Sequence, residues 1–151
     1  MIEIKEAKPT AAWFRIRAKE ARRSLNETRG VYKQGVTFLD RWVQQNFKTE
    51  GDKVGGWKPL AAGGRWIAGK GLDTSASILQ DKGILRASFV PFINTRNAGI
   101  GSDLNYAKKH DQGIGVTQRR ILPLAKEVRA SLKKIFNDYY RNAVSKSLRL
   151  K

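Results

Sequence analysis

A helical repeat of apolar residues constrains the fold of this 151-residue chain more than any other feature of its sequence. At about 100° per residue, the positions of the repeat stay within one arc of roughly 100°. The repeat consists of Phe14, Ala18, Ala21, Leu25, Thr28, Tyr32, Val36, Leu39, Val43 and Phe47. It predicts a long helix over residues 10–47, either continuous or divided into two collinear helices. Because glycine weakens a helix interior, we expect a kink at Gly30 and Gly35.

The same predicted helix carries a second apolar set, which widens its apolar face to nearly half of the cylinder. This set consists of Trp13, Val31, Phe38 and Trp42. One small sheet cannot easily bury so wide a face along a helix of ~50 Å. The helix is either covered within its own subunit or in contact with another subunit, and we expect the subunit contact.

Residues 48–78 form a glycine-rich segment without a hydrophobic period. A run of this length without secondary structure is usually functional or disordered. Trp57 begins a short apolar cluster that can fix one end of the segment to the body, whereas the tip, residues 61–70, has nothing to pack on within its own segment except Trp66 and Ile67. We therefore expect an arm that orders on a partner. With the second apolar set of the helix, the predicted interface residues are Trp13, Val31, Phe38, Trp42, Trp57, Trp66 and Ile67.

Residues 79–124 predict a small antiparallel sheet with one short helix. Alternation of apolar and polar residues favours a first strand over residues 85–93, followed by a turn at residues 94–98. The remaining predicted elements are a strand at residues 99–102, a helix at residues 105–112 ended by Gly113, and a third strand at residues 120–122 before Pro123.

A last helix is predicted over residues 124–146, followed by a frayed basic tail from residue 145. Its apolar face consists of Leu124, Val128, Leu132, Ile135 and Tyr139. The opposite face is basic and consists of Lys126, Arg129, Lys133, Lys134 and Arg141. The apolar face packs on either the sheet or the first helix. The expected fold is a single α+β domain over residues 1–151, with two long helices on a small, mostly antiparallel sheet.

Several short motifs follow one another in a fixed order. They are FKTEG at residues 47–51, GGWKPL at residues 55–60, ILQDKGILRASF at residues 78–89, IGSDLNYAKKHDQG at residues 100–113 and QRRILPL at residues 118–124. In this order, over roughly residues 45–125, the chain resembles the phage virion-morphogenesis family, the tail-completion proteins similar to the G protein of phage Mu. The resemblance implies a structural virion protein of a phage or prophage, assembled in the bacterial cytoplasm.

The same resemblance implies partners. The subunit would form a ring of copies, most simply a hexamer, in the neck that joins the head connector to the tail. Other neck and tail proteins would be its neighbours, and genomic DNA would pass through its channel. The basic residues of the last helix, Lys126, Arg129, Lys133, Lys134 and Arg141, are the candidates to face that DNA.

Thirty Lys and Arg against thirteen Asp and Glu give a net charge of +17. The excess is concentrated in residues 15–41 and 119–151. Such faces are either simply solvated or attract nucleic acid without sequence specificity. A non-specific nucleic-acid-binding protein is therefore the alternative to a virion part. Aromatic residues are not interleaved with the cations as stacking on single strands would require.

The sequence predicts no catalytic, cofactor or metal site. Residues 64–70 match the start of a phosphate-binding loop, but Gly71 stands where a magnesium-binding Ser or Thr is needed. The chain has one histidine, His110, and no cysteine, so thiolate metal sites and disulfides are excluded. Asp111 and His110 would point about 100° apart on a helix, which disfavours a catalytic pair. No apolar run approaches the ~20 residues of a membrane span, and we expect no membrane partner.

Overall fold

The computed structural model describes residues 11–60, 63–67 and 69–148, and the fold is α+β as the sequence predicts. The described part contains five α-helices, a 3-10 turn at Asp52–Val54 and two β-hairpins. In chain order the helices and strands are α1 (Ala11–Asn26), α2 (Arg29–Lys48), β1 (Arg65–Ile67), β2 (Gly71–Asp73), α3 (Ile84–Ala87), β3 (Val90–Ile93), β4 (Ala98–Gly101), α4 (Asn105–Gln112) and α5 (Ala125–Leu148). Residues 1–10, including the expected first residue of the long helix, lie outside this description.

The predicted long helix is two helices, and the break lies at Glu27 and Thr28, not at the glycines. The Glu27 carboxylate accepts a hydrogen bond from the Arg29 N–H (3.0 Å), which satisfies one of the free donors at the start of α2. Gly30 and Gly35 face α5. A Cβ at Gly30 would overlap the Tyr139 hydroxyl. Gly30 therefore serves close helix packing, whereas a Cβ at Gly35 would make only ordinary contacts, at 3.7 Å from Leu132 and Phe136. The helix is interrupted at Glu27 and Thr28, and α2 continues through both glycines where a kink was expected.

Helix α2 packs on both the β3–β4 hairpin and α5. Both of its apolar stripes are consequently covered within the subunit. Val31 is fully buried and Trp42 nearly so. Their assignment to a subunit interface is corrected. A helix that packs on two elements of its own subunit needs no partner to bury a wide apolar face.

The centre of the core is a group of aromatic rings at the C-terminal end of α2. The ring centroid of Phe47 lies 5.4 Å from that of Trp57 and 5.9 Å from that of Phe89. Ile78, Leu85, Ile121 and Val128 complete this cluster. Trp57 is therefore a core residue, which corrects its assignment to the interface and agrees with its predicted role of fixing the arm to the body.

The two hairpins differ from the predicted sheet. The turn and second strand are confirmed, since β3 pairs with β4 in antiparallel register from Val90↔Gly101 to Ile93↔Ala98. The first half of the predicted first strand is the helical turn α3, although Leu85 and Phe89 are both buried as the alternation required. The segment over residues 48–78 is not structureless, because β1 pairs with β2 within it.

In the C-terminal third of the chain, the helices lie close to where the sequence predicts them. Helix α4 has the predicted bounds, and Gly113 ends it with a left-handed backbone (φ +75°). Residues 120–122 form no strand. Helix α5 continues to Leu148, so the expected fraying from residue 145 is wrong in the described part. It packs on α1 and α2, so of the two predicted alternatives, the sheet and the first helix, the structure shows the helix.

Candidate functional site

The resemblance motifs meet at the extended segment of residues 119–122. The Arg120 carbonyl accepts hydrogen bonds from Asn46 Nδ2 (3.0 Å) and Trp57 Nε1 (2.9 Å). Asn46 Nδ2 also donates to the Ile121 carbonyl (3.1 Å). Side chains thus bind carbonyls that a neighbouring strand would bind in a sheet. This replacement explains why residues 120–122 are extended without forming the predicted third strand.

The opposite side of this segment is bound by Asp111. Its Oδ1 atom accepts hydrogen bonds from the N–H groups of Ile121 (2.7 Å) and Leu122 (2.9 Å). A carboxylate that receives two backbone donors is a strong local anchor. Asp111 therefore fixes the chain between α4 and α5.

Arg119 connects the same segment to the start of the glycine-rich region. Its side chain is buried, and its guanidinium donates from Nε to the Lys58 carbonyl (3.1 Å) and from Nη2 to the Pro59 carbonyl (3.2 Å). Its backbone N–H donates to the His110 carbonyl (2.8 Å). A buried guanidinium needs such partners, so Arg119 holds three parts of the chain together.

The end of α2 is closed by two further motifs. Gln80 Nε2 donates to the Phe47 carbonyl (2.8 Å), one of the free acceptors at the helix terminus. Glu50 Oε1 accepts the Ile78 N–H (2.8 Å). Gly51 has φ +90°, and a Cβ there would overlap the Trp57 ring, so only glycine fits without strain. We call the set Asn46, Glu50, Gly51, Trp57, Gln80, Asp111 and Arg119 the motif cluster.

The polar atoms of the motif cluster bind mainly backbone atoms of the same chain, so its chemistry is structural. No role was predicted from the sequence for Asn46, Glu50, Gln80 or Arg119. A signal for Asn46 was present, because it lies four residues after Trp42 and thus on the apolar side of α2, where a polar residue needs a buried partner. Nothing local marks Arg119, whose partners lie about 60 residues away.

His110 lies beside the motif cluster without forming a catalytic pair. Burial and the positive charge of Arg119 lower the pKa of His110 below its ordinary value. Its Nδ1 atom is buried and has no hydrogen-bond partner among the described residues. Asp111 is directed at Ile121 and Leu122, away from the imidazole. The pair therefore lacks the orienting hydrogen bond of a general base.

Of the predicted interface residues, the structure brings no group together at one surface. Val31, Trp42 and Trp57 are interior, and Phe38 is half-buried against the core. Trp13 is half-buried on α1. The backbone of Trp66 and Ile67 lies in β1, and their side chains are outside the described part of the structure.

Exposed apolar residues lie on several elements, among them Phe14 and Ile16 on α1, and two of them share one face of the β3–β4 hairpin. Val90 is 58% exposed and Phe92 is 45% exposed. Their partners across the hairpin are Gly101 and Gly99, which have no side chains to cover them. The outer face of this hairpin is therefore apolar and open to a partner.

The predicted basic face of α5 is exposed along its length. Lys126, Arg129, Lys133, Lys134 and Arg141 are all exposed. Lys134 forms an ion pair with Asp138 (2.9 Å), and Glu127 forms one with Arg120 (2.6 Å). Carboxylates are thus interspersed with the cations on this helix.

The loop resembling a phosphate site has a different geometry. Residues 65–67 and 71–73 are the strands of a hairpin, whereas a phosphate-binding loop leads from a strand into a helix. Among the described residues, no three His, Asp or Glu side chains are grouped to hold a metal ion. Within the same ranges no helix has the length and apolar character needed to cross a membrane.

Comparison of the chain with models of protein families, with curated proteins and with solved structures found no match.

Proposed function

We propose that this chain is a structural virion protein, a tail-completion or neck subunit of a tailed phage or prophage. It joins the head connector to the tail, forms a ring of copies and contacts other neck and tail proteins. It assembles by surface complementarity and catalyses no reaction. The proposed site of action is the neck of the virion, after assembly in the host cytoplasm.

The observation that carries this proposal is the meeting of the motifs in one cluster. Phe47 and Glu50 come from the first motif, Trp57 from the second, Gln80 from the third, Asp111 from the fourth and Arg119 from the last. Each motif is short and weak by itself. Their mutual contacts mean that the order of motifs describes one structural unit, which supports the family resemblance drawn from that order.

The exposed apolar face of the β3–β4 hairpin gives the proposal a surface for assembly. A subunit that works by association needs apolar area outside its own core. Val90 and Phe92 supply such area, and the unpaired edges of the two-stranded hairpin can also accept a strand from a neighbour.

Mass measurement in solution over a range of protein concentrations tests the ring. We expect a closed oligomer of defined size, and Phe92→Asp should weaken it because a charge would be placed in the contact. Ile16→Asp is the matched control, since Ile16 is exposed on α1, away from the hairpin. A monomer at all concentrations, or equal weakening by both variants, contradicts this proposal.

The alternative is a non-specific nucleic-acid-binding protein, which the charge of +17 favours. A stable monomer that binds DNA tightly at physiological salt would support this alternative against the neck subunit.

A further inference from the structure

The outward face of α1 carries a dense row of cations. Arg15, Lys19 and Arg22 follow at intervals of four and three residues, so they lie on one side of the helix, and Arg23 adjoins them. All four side chains are exposed. None of them forms an ion pair with another residue in the described part of the chain. We call these four residues the α1 row.

The packing of α1 directs Arg15, Lys19 and Arg22 away from the body, whereas Arg23 borders the groove between α1 and α5, which Glu27 also lines. The half-buried positions Trp13, Arg17 and Ala21 recur every four residues, and α1 packs on α5. At about 100° per residue, their side of the helix lies opposite the α1 row. The single acidic residue of α1, Glu20, is engaged by Arg17 (2.8 Å). No carboxylate of α1 therefore lies within the row.

Charge density distinguishes this row from the basic face of α5. The four cations of the α1 row lie between Arg15 and Arg23, which are ~12 Å apart along the helix axis. On the predicted basic face of α5, the four residues without an ion pair extend from Lys126 to Arg141, or ~22 Å. Glu127 and Asp138 also lie on that helix. The α1 row thus has nearly twice the linear density of cations.

The composition of the α1 row fits a polyanion better than a protein. The same side of α1 contains Ala11, Ala12 and Asn26 besides the cations, and its one large apolar residue is Ile16, which lies at the margin beside Arg23 and is 59% exposed. A stable protein interface has an apolar core, which this surface lacks. Binding to phosphates requires no such core, because its free energy comes largely from the release of counterions.

We infer that the α1 row binds the phosphate backbone of duplex DNA, without base specificity. The row lies on an exposed helix without a second docking element that would fix its register in a groove, so its Arg and Lys side chains are expected to contact phosphates and not to read base edges. Helix α1, and not the α5 face expected from the sequence, is the principal DNA contact.

Two triple variants with equal loss of charge test this inference. Arg15→Gln, Lys19→Gln and Arg22→Gln neutralise the row, and Lys126→Gln, Arg129→Gln and Lys133→Gln neutralise the same number of exposed cations on α5. Gln favours helix about as well as Lys and Arg, so both helices should persist, which circular dichroism checks. Binding to a labelled duplex of about 20 base pairs is measured as a function of salt.

For the α1 triple variant we expect binding at least tenfold weaker and a slope of log K against log[salt] that is smaller by about 2 to 3. The α5 triple variant should keep most of the slope. An equal loss in both variants would overturn the inference, because total charge would then decide. Absence of DNA binding by the unmodified chain would also overturn it and leave an acidic protein as the partner.

The test of ring formation is independent of the test of DNA binding by the α1 row. A monomer that binds DNA through α1 would contradict the ring and leave the α1 row intact, whereas a ring whose DNA binding ignores the row would do the opposite. The oligomeric state of each variant is therefore measured beside its binding.

Discussion

Gly51 combines a left-handed backbone with an aromatic ring against its Cα. Its φ is +90°, and the Trp57 ring occupies the space of a Cβ. Gly55 has φ +91° but open space around the Cβ position, so it provides a matched control. We expect Gly55→Ala to lower the free energy of unfolding by about 1 to 2 kcal/mol through backbone strain. Gly51→Ala should lose about 1 to 3 kcal/mol more through overpacking. Urea denaturation measures both, and equal losses would contradict the role assigned to Trp57.

His110 makes a second residue-scale prediction, on the pH dependence of stability. Burial and Arg119 lower the pKa of His110 below its ordinary value of 6.5, so the unfolded chain binds the proton more readily. The free energy of unfolding should therefore have its full value above pH 6.5 and decrease as the pH falls below 6.5. His110→Gln should reduce this decline between pH 6.5 and pH 5, where few carboxylates titrate. A thermal melting series in this range checks it. Identical pH profiles for the two proteins would show that the imidazole stays solvated.

At the scale of elements, the helices were largely predictable, whereas of the predicted strands only the pair that forms the β3–β4 hairpin was found. The apolar periods of α2 and α5 and the glycine that ends α4 are local signals, and they predicted these helices. Residues 120–122 looked like a strand because they are extended and partly apolar. Their partners are the side chains of Asn46, Trp57 and Asp111, far away in sequence, and no local pattern encodes such contacts. The predicted first strand failed in its first half because buried Leu85 and Phe89 satisfy both alternation and a helical interval of four residues.

The extended segment gives an element-scale prediction through Asp111. Asp111→Ala would leave the N–H groups of Ile121 and Leu122 without their acceptor, at a loss of about 2 to 4 kcal/mol in the free energy of unfolding. Asp111→Asn keeps an oxygen in place and should lose about half as much, since only the charge is removed. Chemical denaturation measures this ranking. Equal losses for the two variants would mean that the carboxylate acts through its charge and not through these two hydrogen bonds.

At the scale of the whole molecule, the sequence showed the fold class but assigned Val31, Trp42 and Trp57, which are core residues, to an interface. The width of the apolar face on α2 suggested a partner, yet the hairpin and α5 cover it within one subunit. A wide apolar face indicates how much must be buried and not which layer buries it. The exposed residues Val90 and Phe92 could not be distinguished from core residues in the sequence, because strand alternation does not say which side is covered.

The glycine-rich segment provides the last prediction, at the level of assembly. The β1–β2 hairpin has three residues in each strand, and a two-stranded hairpin by itself is marginally stable. The β3–β4 hairpin of four-residue strands packs on α2 and serves as the internal control. In the isolated subunit, amides of residues 65–67 and 71–73 should exchange hydrogen at nearly unprotected rates, whereas those paired in β3 and β4 should be protected. Assembly with a partner should add protection to the first hairpin, and Trp66→Ala should reduce that gain while leaving the melting temperature of the subunit almost unchanged. Strong protection of the β1–β2 hairpin in a proven monomer would mean that the segment is stabilised by its own domain, and its role in binding a partner would have to be abandoned.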